Sequence, residues 1–255
     1  MDRDKGQDFE YKLLKPDKSI ADFVESFWML QNHSDYNKDV VILPDGRVDL
    51  FFSRSATEPF HITLSGLETQ SDQAILTGKT IMFAISFKLP AIEYFFHNTV
   101  STLLNNAKYL PVDFWGFNEK DIQDFDFFCE KAAQKIQTLL PREIDNRKRK
   151  LFDLIYASKG TLSVNALSEE VSWSSRQINR FFRQQFGLSL KAYCNILRFR
   201  ASFPDIKEGK LFPQENFADQ SHFIKEVKKL AGVSPKELKR NQNGRFIQFL
   251  TLPSK

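Results

Sequence analysis

Basic side chains recur at helical spacing in the C-terminal half of the sequence. At about 100° per residue, Arg176, Arg180 and Arg183 share one side of a helix. Asn179 lies at the edge of that side, and the opposite side is apolar: Ile178, Phe181, Phe182 and Phe186. Arginine can donate two hydrogen bonds to guanine, and asparagine or glutamine can pair similarly with adenine. The pattern therefore predicts a helix that reads the major groove of DNA, and a solvated basic face is the alternative.

The residues around these arginines predict the elements that position them. Ser174 can cap a helix, Gln177 completes a capping box, and Gly187 suits the position just after the helix end. Ser163 can cap a shorter helix before it, and only Ser-Trp-Ser at 172–174 separates the two. Two helices joined by such a tight turn are typical of the unit that inserts its second helix into the major groove.

Further helix signals follow along the chain. Ser189 opens a longer helix that is predicted to end at about residue 202. The stretch 216–230 contains another helix, ended by Gly232. Residues 234–237, Ser-Pro-Lys-Glu, combine a capping serine, proline at the first helical position and a capping-box glutamate. The C-terminal half is therefore predicted to be all helical.

Two of these segments carry a family resemblance. Residues 164–203 resemble the first helix-turn-helix of the AraC/XylS-type transcription regulators, and residues 216–240 are similar to the second. The second match includes Asp-Gln-Ser-His-Phe at 219–223 and Gly-Val-Ser-Pro at 232–235. The resemblance covers about residues 145–245. It implies a sequence-specific DNA-binding regulator with two helix-turn-helix units that read two successive major-groove segments.

The resemblance also implies roles for single residues. It places seven side chains toward the bases: Arg176, Asn179, Arg180, Gln220, Ser221, His222 and Lys225. Arg183 and Lys228 would contact phosphates, which fix register without reading sequence. The chain departs from the family at Pro213, which would block or shorten the helix before the second recognition helix. A sensor or partner-binding module with a degenerate second unit is therefore the alternative function.

The partners expected of the chain follow from the same resemblance. Double-stranded DNA and RNA polymerase are the implied macromolecular partners. A second copy of the chain, in a homodimer, is expected only from the apolar spacing over residues 122–139. A small-molecule effector of unknown identity is the implied ligand. The role expected is that of an activator of the bacterial type.

The N-terminal half predicts a β-rich domain. Apolar runs at 40–43 and 48–52 flank Pro-Asp-Gly at 44–46 and predict a β-hairpin. Alternating apolar residues predict a half-buried strand over 81–87, and a helix is expected over 91–105. With the helical C-terminal half, this predicts a two-domain α+β fold.

The N-terminal half also resembles an uncharacterised β-rich domain found ahead of such DNA-binding modules. The resemblance rests on Phe-Trp at 27–28, on residues 42–50 and on Ile-Ser-Phe-Lys at 85–88. It implies a role in sensing or dimerisation, and no ligand follows from these residues.

A linker helix is predicted over residues 119–140, with Asn118 as its N-cap. Its apolar residues follow the three-and-four spacing of a coiled-coil seam: Ile122, Phe125, Cys129, Ala132, Ile136 and Leu139. A dimerisation helix is one interpretation, and a helix lying on the β domain is the other. The charged stretch after Pro141 marks a boundary, so we expect domains at 1–117 and 145–255 with the linker helix at 118–144.

Charge is divided unevenly along the 255 residues. The net charge is +4, but residues 147–255 hold 21 basic and 9 acidic residues, a net +12, which leaves −8 for residues 1–146. A concentrated positive charge predicts a half that binds polyanions.

No apolar run reaches the length of about 18 residues that a membrane span needs, and the start lacks the apolar core of a secretory signal. We therefore expect a cytoplasmic chain with no membrane partner.

An enzyme is the rival of a different class. Four histidines form neither a His-x-His pair nor an HExxH motif: His33, His61, His97 and His222. Cys129 and Cys194 lie in apolar helical contexts, which predicts inert thiols. The chain has no glycine-rich phosphate loop and no nucleophile turn. We expect no enzymatic activity and no catalytic residue, metal or cofactor.

Overall fold

The structure is a computed structural model that describes residues 9–96, 99–210, 217 and 219–250. Its first part is built of strands, and its second part of helices, which confirms the predicted fold class. The strands are β1 (Phe9–Leu14), β2 (Val24–Asn32), β3 (Lys38–Ile42), β4 (Val48–Arg54), β5 (His61–Ser65), β6 (Asp72–Leu76), β7 (Ile81–Phe87) and β8 (Ala107–Leu110).

Most strands form one antiparallel sheet in the order β1-β2-β7-β4-β5-β8, while β3 and β6 form a separate ribbon. The predicted hairpin over residues 40–52 is wrong, because β3 pairs with β6 and β4 pairs with β5 and β7. The turn at 44–46 instead carries the chain from the ribbon to the sheet. Gly46 lies in this turn with φ +78°, a backbone conformation that favours glycine. The strand predicted over 81–87 is confirmed as β7.

The two faces of the sheet have different environments, as β4 shows. Val48, Leu50 and Phe52 point into the main core and are fully buried. Asp49 and Phe51 alternate with them and face the β3–β6 ribbon. Because side chains alternate along a strand, one strand contributes to both a packed core and a cavity wall.

The helices are α1 (Pro90–Phe95), α2 (Phe125–Leu139), α3 (Asn146–Ala157), α4 (Val164–Val171), α5 (Ser175–Phe186), α6 (Leu190–Ala201), α7 (Phe203–Glu208), α8 (Gln220–Ala231), α9 (Pro235–Arg240) and α10 (Ile247–Leu250). The helix expected over 91–105 is much shorter, because α1 ends at Phe95 and the run Thr-Val-Ser-Thr at 99–102 disfavours helix. The sequence reasoning did not predict α7, where Pro204 sits in the first turn. Among the helices of the described residues, none is long and apolar enough to cross a membrane.

The linker helix α2 packs on the core face of the sheet. It begins at Phe125 with Asp124 as its cap, whereas Asn118 caps a separate 3-10 turn. The ring of Phe128 meets those of Phe52 and Phe83 edge-on, with centroids 5.1 Å and 5.3 Å apart. Aromatic pairs in this geometry add to the stability gained by burial.

The same packing covers the predicted dimerisation seam. Most of its residues are buried within the chain: Ile122, Phe125, Cys129, Ala132 and Ile136. Leu139 is partly buried against the same core. The interpretation in which this helix lies on the β domain is therefore the one the structure shows. Because these residues are covered within the chain, they leave no exposed apolar face for a second copy. Homodimerisation stays a prediction that α2 does not support.

Buried hydrogen bonds join the two halves of the chain. The hydroxyl of Tyr193 on α6 donates to the carbonyl of Gly46 at 3.0 Å. The hydroxyl of Tyr156 on α3 accepts from the backbone N–H of Leu89 at 3.0 Å and lies 3.2 Å from that of Tyr193. Burial of such polar groups requires these partners, so the turn before β4 and the helical half form one interior.

Ion pairs and the C-terminal segment tie the halves together elsewhere. Glu25 on β2 accepts from Arg200 on α6 at 2.8 Å. The side-chain amide of Gln248 on α10 both accepts from the N–H of Leu43, at 3.1 Å, and donates to its carbonyl, at 3.0 Å. The last described helix therefore closes against the ribbon side of the β domain.

Candidate nucleic-acid interface

Helices α4 and α5 form a compact two-helix unit. The hydroxyl of Ser163 accepts from the N–H of Ala166 and caps α4, as the sequence predicts. Ser174 and Gln177 form the predicted capping box at the start of α5. Gly187 ends α5 at φ +82°, also as predicted. Local signals therefore determine where the proposed recognition helix begins and ends.

The two sides of α5 differ as the helical spacing predicts. Ile178, Phe182 and Phe186 are buried, and Phe181 is partly buried against the ring of Trp173. The opposite side carries the arginine stripe, which we define as Arg176, Arg180 and Arg183.

The arginine stripe is unpaired within the described part of the chain. All three side chains are exposed, and none forms a salt bridge with a residue that the structure describes. Three guanidinium groups along about 10 Å of helix, at about 1.5 Å per residue, form a positively charged surface of the kind that attracts polyanions.

Asn179 does not lie free beside the stripe. Its amide nitrogen donates to the carbonyl of Ser175 at 2.9 Å, and its amide oxygen accepts from the N–H of Leu190 at 3.3 Å. Leu190 begins α6, where backbone N–H groups lack partners within the helix. Both ends of its amide therefore already bind the backbone, which favours a structural role for Asn179 over the base contact that the resemblance implies.

Helix α8 has the same two-sided construction. Phe223, Val227 and Leu230 are buried, whereas four predicted contact residues are exposed: Gln220, Ser221, Lys225 and Lys228. Asp219 caps the helix by accepting from the N–H of His222 at 2.7 Å, and Gly232 ends it at φ +72°. The exposed set lies on the side that the resemblance assigns to DNA.

His222 is half-buried at the start of α8. Its ring lies 5.9 Å from that of Phe217, measured between centroids. Its Nδ1 atom is buried and has no hydrogen-bond partner among the described residues. Its partial burial beside Phe217 fits a core histidine, while its place at the start of α8 keeps a DNA contact open.

Helix α6 connects the two units. Ser189 caps it and it runs to Ala201, close to the predicted end at residue 202. The amide of Asn195 donates to the carboxylate of Glu226 on α8 at 3.2 Å. Pro213 lies outside the described residues, so its effect on the second unit stays a prediction.

Sequence reasoning did not predict a contact between the β domain and the end of α5. The N–H of Val100 donates to the carbonyl of Gln185 at 3.0 Å. A Cβ placed on Gly187 would come within 2.8 Å of the carbonyl oxygen of Ser101. The segment after α1 therefore abuts the C-terminal end of the proposed recognition helix. No local signal in residues 99–104 indicates this contact.

Two hollows could hold an effector. One is a ribbon cavity of about 330 Å³ between the sheet and the β3–β6 ribbon, floored by Asp49 and Ser86. The other is a cationic cleft of about 730 Å³ between the β domain and α6, where both halves contribute lysine or arginine. Its cations are Lys15, Arg47, Lys88, Lys159 and Arg200.

The remaining chemistry-bearing side chains are separate from these features. Burial raises the pKa of the Cys129 thiol to about 12 and that of Cys194 to about 11, so both thiols are protonated and unreactive at neutral pH. Across the described ranges, no three His, Cys, Asp or Glu side chains gather into a metal-binding group.

Comparisons with known proteins give distant likenesses. ToxT from Vibrio cholerae is similar at 12% identity over 91% of this chain and 97% of that chain, with a TM-score of 0.41. Wild-type ToxT with bound unsaturated fatty acid gives 13% identity, 93% and 97% coverage and a TM-score of 0.41. No curated protein matches the chain. The family described as "Domain of unknown function (DUF6597)" matches residues 12–108, which confirms the expectation of an uncharacterised β-rich N-terminal domain.

Proposed function

We propose that this chain is a sequence-specific DNA-binding transcription regulator of the AraC/XylS type. The observation that carries the proposal is the arginine stripe, exposed on α5 and without a salt bridge to any described residue. Guanidinium groups that are not neutralised within a protein remain available to phosphates and guanines. The resemblance of residues 164–203 to a helix-turn-helix supports the same function.

In each helix-turn-helix unit, we assign some residues to base contacts and others to phosphate contacts. In the first unit, Arg176 and Arg180 read base edges and Arg183 binds phosphate. In the second unit, base reading falls to Gln220, Ser221 and Lys225, with His222 acting through Nε2 and Lys228 binding phosphate. Apart from the half-buried His222, these side chains are exposed on α5 and α8, which supports the assignment.

The test is selection of binding sites from random duplexes by the full-length chain. The full chain is required because Tyr193 and Phe186 of the helical half are buried in an interior shared with the β domain. A salt titration on the selected site and on scrambled DNA then separates base reading from charge. A site with two patches about one helical turn apart is expected.

Other outcomes distinguish the alternatives. A single short patch would mean that the second unit binds only phosphate. Equal binding of selected and scrambled DNA would contradict the proposal and favour the sensor or partner-binding module.

A matched pair of variants separates sequence reading from net charge. Replacing the arginine stripe by alanine should abolish the preference for the patch of the selected site that α5 reads. Replacing Lys236, Lys239 and Arg240 by alanine removes the same charge from exposed positions of α9 and should leave the preference intact. If the two variants lose preference equally, α5 is not the reading helix.

The N-terminal domain is proposed to sense a small-molecule effector. The ribbon cavity and the cationic cleft, both lined in part by the β domain, support this role because each combines apolar walls with charged groups, as ligand sites do. The regulator would act as a cytoplasmic activator that contacts RNA polymerase and forms a homodimer. It has no catalytic role in this proposal.

A further inference from the structure

The ribbon cavity has one apolar, aromatic wall. Trp28 on β2 and Phe51 on β4 flank Ala84 of β7 on the sheet, and their rings meet with centroids 5.7 Å apart and nearly perpendicular planes. Tyr11 continues this wall, 6.4 Å from Trp28, and Val40 and Ile42 of the ribbon lie opposite. The volume of about 330 Å³ is at the lower end of the range for small-molecule sites.

Asp49 stands at the polar end of this cavity. One carboxylate oxygen accepts from the hydroxyl of Ser86, whose oxygen in turn accepts from the indole N–H of Trp28 at 3.0 Å. No described cation forms a salt bridge with Asp49. The nearest arginine, Arg47, pairs instead with Asp45 at 3.6 Å and with Glu25 at 3.5 Å. Asp49 is therefore the carboxyl group of this cavity that lacks a counter-ion.

The buried surroundings of Asp49 make its ionised form energetically unfavourable without a counter-ion. Burial, and then the nearby carboxylate of Asp45, raise the pKa of Asp49 to about 7, because the Ser86 hydrogen bond and the charge of Arg47 offset them only in part. An isolated buried carboxylate is unfavourable unless a cation or several donors compensate it. A ligand that brings a positive charge to Asp49 would supply that compensation.

We propose that the ribbon cavity binds a small organic cation, a primary amine on an aromatic or aliphatic body, with its ammonium group at Asp49. The body lies on Trp28 and Phe51, whose ring faces also attract a cation. This inference deepens the sensing role within the proposed function. An anion would meet the carboxylates of Asp45 and Asp49, and a neutral molecule would leave Asp49 uncompensated.

The position of the cavity links its occupant to the helical half. Ile247 and Gln248 of α10 complete the lining, and Gln248 is hydrogen-bonded on both sides to the backbone of Leu43. A bound amine therefore contacts the element that connects the ribbon to the C-terminal helices.

Binding should depend on pH through Asp49. The other titratable or charged groups that line the cavity are Asp45 and Arg47 from the turn before β4, Tyr11 from β1 and His61 from β5, while the ribbon and α10 contribute uncharged side chains. Because the amine requires the ionised carboxylate, affinity rises as pH increases through the pKa of Asp49. Between pH 6 and pH 8 the ionised fraction, and hence the affinity, should rise roughly tenfold.

The experiment is calorimetric titration of the full chain, without DNA, with three compounds that share one body. These are 2-phenylethylammonium, 2-phenylethanol and 3-phenylpropionate, measured at pH 6 and pH 8. Asp49→Asn keeps the acceptor for Ser86 but removes the charge. Asp39→Asn removes a charge from the exposed side of β3 and is the matched control. Circular dichroism confirms that both variants are folded.

The expected result is binding of the ammonium compound in preference to the other two, with a roughly tenfold gain from pH 6 to pH 8. Asp49→Asn should remove both the preference and the pH dependence, and Asp39→Asn should change neither. Tighter binding of the carboxylate would overturn the proposal and point to the cationic cleft. So would equal binding of all three compounds, no binding, or a pH dependence that persists in Asp49→Asn and so belongs to another group. None of these outcomes bears on DNA binding, which the site selection tests separately.

Discussion

Arg180 and Arg183 lie about one helical turn apart on the exposed side of α5, yet their removal should have different effects. Arg180→Ala should cost about 1–3 kcal/mol at the selected site and relax the preference at one or two base positions. Arg183→Ala should weaken binding to all sequences similarly and lower the slope of log affinity against log salt by about one. Titrations of both variants on selected and random DNA check this. Identical behaviour of the two would contradict the assigned roles.

Asn179 offers the opposite test, because its amide is engaged with the backbone at both ends. Asn179→Ala should lower the free energy of unfolding by about 1–2 kcal/mol, the contribution of two hydrogen bonds. The ratio of affinities for selected and random DNA should stay the same. Chemical denaturation and DNA titration measure the two quantities. A tenfold loss in the ratio at unchanged stability would restore Asn179 to base reading.

These residues show what helical spacing can predict and what it cannot. Spacing correctly separated the buried Ile178 and Phe182 from the exposed arginine stripe, since that division depends on one helix alone. It could not separate Asn179 from the stripe. The partner of its amide oxygen is Leu190, which reaches it only because the chain turns back after Gly187.

At the scale of elements, α2 provides adjacent residues with opposite environments. Phe128 is fully buried among Phe52, Phe83 and Phe117, whereas Phe127 is 53% exposed. Phe128→Ala should lower the free energy of unfolding by about 3–5 kcal/mol. Phe127→Ala should change it by no more than about 0.5 kcal/mol. Urea denaturation of both variants is the measurement, and comparable losses would mean that α2 does not pack on the sheet as described.

The elements also show which sequence signals are dependable. The caps at Ser163, Ser174 and Ser234 were predicted correctly, because each depends on contacts within three residues of the chain. The hairpin over residues 40–52 was wrong for the converse reason. The partners of its two strands include β6 and β7, about 30 residues away, and local turn chemistry carries no information about them.

At the scale of the whole molecule, the shared interior predicts cooperative unfolding. The full chain should melt in one calorimetric transition, because Tyr193 and Gly46 join the two halves through a buried hydrogen bond. Tyr193→Phe should lower the free energy of unfolding by about 1–3 kcal/mol, since it leaves a buried carbonyl unsatisfied. Tyr109→Phe, at a side chain 71% exposed, is the control and should have little effect.

Two separate transitions in the wild-type chain would contradict this expectation. They would show instead that the predicted domains at 1–117 and 145–255 unfold independently.

The sequence by itself determined the fold class, the start and end of α5 and the charge of its exposed side. These properties follow from short-range periodicity, capping and composition, all of which are contained in segments of a few turns. Only the tertiary structure decided three other features. The apolar seam of α2 packs against the sheet, β3 pairs with β6 outside the main sheet, and Asp49 faces a cavity without a counter-ion. The type of an apolar or acidic side chain does not reveal which part of the chain it will contact. Its partner is chosen by long-range packing, which local sequence does not specify.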